Sequence, residues 1–127
     1  MDSKSADEFL LAFTAAYVWV ACADEGLDGA EVVKFEHVLI ESPFATQFNV
    51  DHIRRYFKDT VEMFRTDFDK SIEVTKERLK KISARLPMAQ EILRACRAAV
   101  IADGHLGDAE ENALSEIAKT LGIAGAP

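Results

Sequence analysis

The side chains Phe68, Ile72, Thr75, Leu79, Ile82 and Leu86 recur at intervals of four, three, four, three and four residues. That is the period of one helical face, and charged residues fill the positions between. The spacing predicts an amphipathic helix over 68–86 with one stripe in a core. The same period recurs along almost the whole chain, and two-residue alternation is scarce. Phe9, Phe13, Ala16 and Val20 form a stripe on a first helix over 6–24, with Ser5 and Glu8 as its capping box. Val32, Phe35 and Leu39 mark a second helix over 29–41 that stops before Pro43. Asn49 is placed to cap a third, which carries Val50, Ile53, Phe57, Val61 and Phe64 to Thr66. Pro87 opens a fifth through Ile92, Cys96, Ala99 and Val100 to Asp103. A sixth carries Leu114, Ile117 and Leu121 and stops at Gly122. The expectation is an all-α, compact bundle of about six helices, a single domain over 1–127.

Composition sets limits on function. With 49% hydrophobic and 29% charged residues, the chain has the balance of a globular protein rather than a disordered one. The longest apolar run, Leu10 to Ala23, is interrupted by Thr14 and falls short of the roughly 20 residues of a membrane span. The N-terminal sequence lacks the basic start and apolar centre of a secretory signal, so the expected location is cytoplasmic. Cys22 and Cys96 each sit inside a helical apolar pattern, as reduced core cysteines do.

The net charge of −7 is unevenly spread. Residues 1–50 hold nine acids against Lys4 and Lys34, while residues 51–97 hold twelve bases against eight acids. Residues 98–127 hold five acids against Lys119. Acidic ends argue against nucleic acid as a partner and are compatible with cations. The basic residues Lys76, Arg78, Lys80, Lys81 and Arg85 have no interleaved aromatics, which suits a solvated face better than a phosphate-binding one.

One pattern occurs twice. Ala23-Asp24-Glu25-Gly26-Leu27-Asp28-Gly29-Ala30-Glu31 aligns without a gap on Ala102-Asp103-Gly104-His105-Leu106-Gly107-Asp108-Ala109-Glu110, at an offset of 79 residues. Each copy joins one predicted helix to the next, and the wide spacing suits internal pseudo-twofold symmetry rather than a solenoid. Two readings of the corner stand side by side. In the first, glycine ends one helix, leucine pins the corner to the core, and Glu31 or Glu110 folds back as a capping box. In the second, Asp24 and Glu31 share a cation across the corner, and Asp103 and Glu110 share another. Asp24 and Asp103 favour the second reading, because an acid at a helix C-terminus opposes the helix dipole. Such hard oxygen ligands suit calcium, magnesium or manganese, with zinc a fourth candidate. The corner is not an EF-hand: counted from Asp24, the glutamate required at position twelve is Phe35.

Ala102-Asp103-Gly104-His105-Leu106, then Glu110-Glu111, Leu114, Ile117 and Leu121-Gly122-Ile123, resembles the signature of the TerB tellurite-resistance family. The copy at 23–31 and the charged middle helices extend the resemblance over nearly the whole chain. The resemblance implies an all-α fold with internal symmetry, an acidic cation-binding surface and a role in resistance to tellurite and related stress. It further implies action in membrane-associated complexes with other Ter-type proteins rather than as an enzyme. The metal candidates it carries over are Asp24, Glu31, Asp103 and Glu110. The first copy departs from the pattern in reading Ala-Asp-Glu-Gly.

No catalytic motif competes. The sequence has no Glu-x-x-His pair of the di-iron kind, no HExxH, no G-x-S-x-G and no phosphate loop. His37 and Glu41 share a helix face as an exposed pair, His52 faces solvent near a helix start, and His105 is a turn residue beside the second corner. The leading expectation is a non-enzymatic stress-response protein that binds divalent cations. The alternative is an interaction module without a metal, docking an acidic partner or a membrane-associated complex through its basic helix or an apolar groove. Trp19 and the eight phenylalanines are either all core or, in part, the face of a homodimer.

Overall fold

From Ala12 to Val20 every residue is buried. A helix apolar on all sides has no solvent face to keep, so it becomes the element around which the others pack. The computed structural model describes residues 3–22, 37, 50–102 and 108–123. Five helices lie among them: α1 (Ser3–Cys22), α2 (Val50–Thr66), α3 (Phe68–Ile82), α4 (Leu86–Ala102) and α5 (Asp108–Leu121). None of the described residues is in a strand. Helix α1 packs against each of the other four. The expected stripe of Phe9, Phe13, Ala16 and Val20 is buried, but so are Leu10, Ala12, Tyr17, Val18 and Trp19 on the remaining faces. Thr14, the one polar residue in that stretch, is accommodated because its hydroxyl donates to the Leu10 carbonyl at 2.7 Å.

The start of α1 corrects the sequence expectation. Ser5 lies inside the helix, so it does not cap it. Glu8 instead accepts from Arg85 Nη2 at 3.2 Å. The predicted helix over 29–41 lies outside the described residues except for His37, which is helical and exposed. The count of six helices and the pseudo-twofold repeat rest on residues outside the described ones, namely the corner at 23–31 and residues 103–107 of the corner at 102–110.

Helices α2 and α3 are separated by one residue. Asp67 is extended, at φ −154° and ψ 96°, and its side chain accepts from the Lys70 amide at 3.1 Å, which caps α3. Ser71 donates to the carbonyl of Met63 at 2.7 Å and so bridges the two helices at the elbow. Along α3 the predicted stripe holds in its middle: Thr75, Leu79 and Ile82 are buried and Ile72 is half-buried. Its ends depart from the prediction. Phe68 is 37% exposed and packs edge-on to Phe64, and Leu86 is 53% exposed on the following helix. Pro87 explains the second departure. It has no N–H, and its ring would collide with the carbonyl of Ser83, so α3 ends at Ile82 and the chain restarts on a new axis.

Helix α4 buries Ile92 and Cys96, and α5 buries Leu114, Ile117 and Leu121, each as the spacing predicts. Gly122 closes α5 at φ +75°. Its amide donates to the Lys119 carbonyl at 3.1 Å, and the Ile123 amide donates to that of Ala118 at 3.0 Å. These are the two bonds of a Schellman cap, and Ile123 packs back on the core as that motif requires.

Candidate functional site

Of the four carboxylates expected to hold a cation, Glu110 is described and Asp24, Glu31 and Asp103 lie outside the described residues. Glu110 is the third residue of α5 and shares its first turn with Asp108 and Glu111. The three acids are placed differently. Asp108 and Glu111 are exposed, whereas Glu110 is only 8% exposed. All three gain from the partial positive charge of the helix N-terminus. Only Glu110 gives up most of its water, so its carboxylate needs compensating partners. Both a capping box and a shared cation meet that need. Among the described residues, no group of three or more His, Cys, Asp or Glu side chains gathers as a metal cluster.

Beside this turn Trp19, Phe68, Ala109 and Ala113 line an apolar notch of about 270 Å³, edged by Asn112 and Glu116. Trp19 itself is 5% exposed and belongs to the core; among the described phenylalanines, Phe68 is the one that reaches the surface.

The basic face predicted on α3 is partly consumed by ion pairs. Lys76 Nζ lies 3.2 Å from Glu116 of α5, and Arg85 pairs with Glu8 of α1. Lys80 lies 4.0 Å from Glu77 on its own helix, and Lys81 is exposed. Partial burial lowers the pKa of Arg78. Lys76 therefore fastens α3 to α5, and Arg85 fastens the turn that follows α3 to α1, roles invisible in the spacing alone.

A second buried carboxylate was not among the candidates. Glu91 is 8% exposed, and Arg94 grips it in a bidentate pair at 2.7 and 2.8 Å. Its Glu-x-x-Arg spacing is visible in the sequence, but nothing there distinguishes it from a surface pair. The two cysteines are free thiols. Burial pushes Cys96 up to about 12. Burial also raises Cys22, against the opposing pull of Arg65. Neither has the lowered pKa of a reactive thiol. His52 is exposed, as expected, and Glu41 lies outside the described residues.

The family model of the tellurite resistance protein TerB matches residues 10–126. The chain belongs to the TerB family. That match runs from Leu10 within α1 to beyond the Gly122 cap, so it includes both acidic corners, most of α1 and the whole of α2 to α5. Among curated proteins and among solved structures, no significant match is found. For this TerB-family chain, no helix among the described residues is long and apolar enough to cross a membrane.

Proposed function

We propose that this TerB-family chain is a non-enzymatic tellurite-resistance and stress-response protein that binds a divalent cation at its acidic helix corners. Asp103 and Glu110 form the first-choice site, and Asp24 and Glu31 its counterpart. The observation that carries the proposal is the placement of Glu110. Three acids share the first turn of α5, and the one that matches the repeated motif is the one drawn into the interior. A buried carboxylate at a helix N-terminus, seven residues from an aspartate across a glycine-bearing corner, is a suitable hard oxygen donor. Membership of the family supports the same assignment, as does the acidic excess at the two ends of the chain. The docking of an acidic partner through α3 is less favoured, because Lys76 and Arg85 are already paired with carboxylates of other helices.

The test is thermal melting of chelator-treated protein with calcium, magnesium, manganese or zinc added back, beside the variant Asp103→Asn, Glu110→Gln. Binding to the folded state alone raises stability by about 2.7 kcal/mol at a hundredfold excess over Kd. A cation-selective rise that the variant loses is the expected result. An unchanged melting temperature with every cation would leave Glu110 as a capping residue and end the metal assignment.

A further inference from the structure

The α2–α3 elbow holds a groove of about 390 Å³. A single extended residue, Asp67, separates the helices, so side chains on either side of it line one crotch. Met63 and Val74, both half-buried, supply its apolar lining. Asp59, Glu62 and Asp67 set three carboxylates around them, against the ammonium of Lys70. The hydroxyls present are already committed: Ser71 donates to the carbonyls of Met63 and Asp67, and Thr66 to that of Glu62. The groove therefore offers an apolar surface and an excess of negative charge, with few free donors.

We propose that this groove docks a basic amphipathic segment of a partner protein. An apolar side chain of the segment covers Met63 and Val74, and its lysine or arginine heads reach Asp59 and Glu62. Charge complementarity selects this occupant. An acidic peptide, a nucleic acid or an anionic lipid surface would meet three carboxylates. A wholly apolar segment would strip water from Asp59 and Glu62 without replacing it. Lysine and arginine suit the mixed lining, since their methylene stems lie on apolar surface while their heads stay with the charges. The segment fits the helix-in-groove mode, in which one or two apolar anchors set the register. A second copy is a poorer occupant, because two chains of net charge −7 repel one another.

The test uses the full chain and two labelled probes, a short amphipathic peptide of leucine and lysine and its leucine–glutamate twin. Anisotropy and amide shift mapping are the readouts. The lysine peptide is expected to bind and the glutamate peptide not, with shifts centred on residues 59–74. The reversal Asp59→Lys, Glu62→Lys should weaken binding about tenfold, and the milder Asp59→Asn, Glu62→Gln should weaken it less. An equal charge change at the exposed residues Asp69 and Glu73, outside the groove lining, should cost less than about twofold. Circular dichroism confirms that each variant keeps its helices. Equal losses from both reversals would reduce the effect to the overall field and overturn the site. Failure of the lysine peptide to bind, or shifts located elsewhere, would do the same. Dimerisation of the protein alone that Asp59→Lys, Glu62→Lys abolishes would give the groove to a second copy instead.

Discussion

Arg85 Nη2 donates to Glu8 Oε1 at 3.2 Å and ties the turn between α3 and α4 to the beginning of α1, across 77 residues of chain. The pair is partly screened from water, with Glu8 the more enclosed partner. A double-mutant cycle with Glu8→Gln and Arg85→Met should give a coupling of about 1 kcal/mol, reduced by salt. The exposed Lys80–Glu77 pair, at 4.0 Å, should give a coupling near zero in the same urea titrations. Equal couplings would mean that the enclosure of Glu8 contributes nothing.

The α3 stripe should show a gradient of cost rather than six equal positions. Leu79 has no exposed surface, and Leu79→Ala should lower stability by about 3 kcal/mol through lost burial and a residual cavity. Leu86 is half in solvent, and Leu86→Ala should cost less than about 1 kcal/mol. Denaturant midpoints for the two variants check the ordering. A large loss at Leu86 would contradict its placement on α4.

Cys96 makes stability fall at high pH. Its folded-state pKa is raised to about 12 from an ordinary 9.0, so between those values the unfolded chain loses a proton that the folded chain keeps. The contribution is full below about pH 9 and is lost as pH rises through the folded pKa, with a slope approaching about 1.4 kcal/mol per pH unit. Comparing urea unfolding of the parent and Cys96→Ala from pH 8 to pH 11 isolates this one group from the lysines and tyrosines. The difference between the two proteins should narrow as pH rises. In the native state Cys96 should resist alkylation until the chain unfolds, and Cys22, half-buried, should react first.

Gly122 occupies a left-handed position with open space where a Cβ would lie, so a substitution there meets strain and no collision. Gly122→Ala should cost about 1 kcal/mol and Gly122→Asn less, because asparagine tolerates that backbone better. Thermal melting of both variants checks the order Gly, Asn, Ala. An alanine variant as stable as the parent would show that the cap contributes nothing measurable.

Much of the helical order is legible in the sequence alone. The stripes of α2, α4 and α5, the stop at Gly122 and the restart at Pro87 follow from local rules, because a helix's periodicity and its terminators are properties of neighbouring residues. So does the family, since its signature at Ala102–Ile123 is a run of sequence. The tertiary structure decided what depends on residues far apart. The spacing puts one stripe on α1, but packing buries every residue from Ala12 to Val20. Ser5 and Glu8 satisfy the local grammar of a capping box, yet the helix begins earlier and Glu8 meets Arg85. Lys76 belongs to a basic face by its spacing and to Glu116 by its position. Glu110 and Glu111 are adjacent acids in one turn, and only packing separates the interior one from the exposed one. Sequence spacing determines which side chains share a helix face. Which face meets water, and which charge finds a partner, depends on how separate helices pack together.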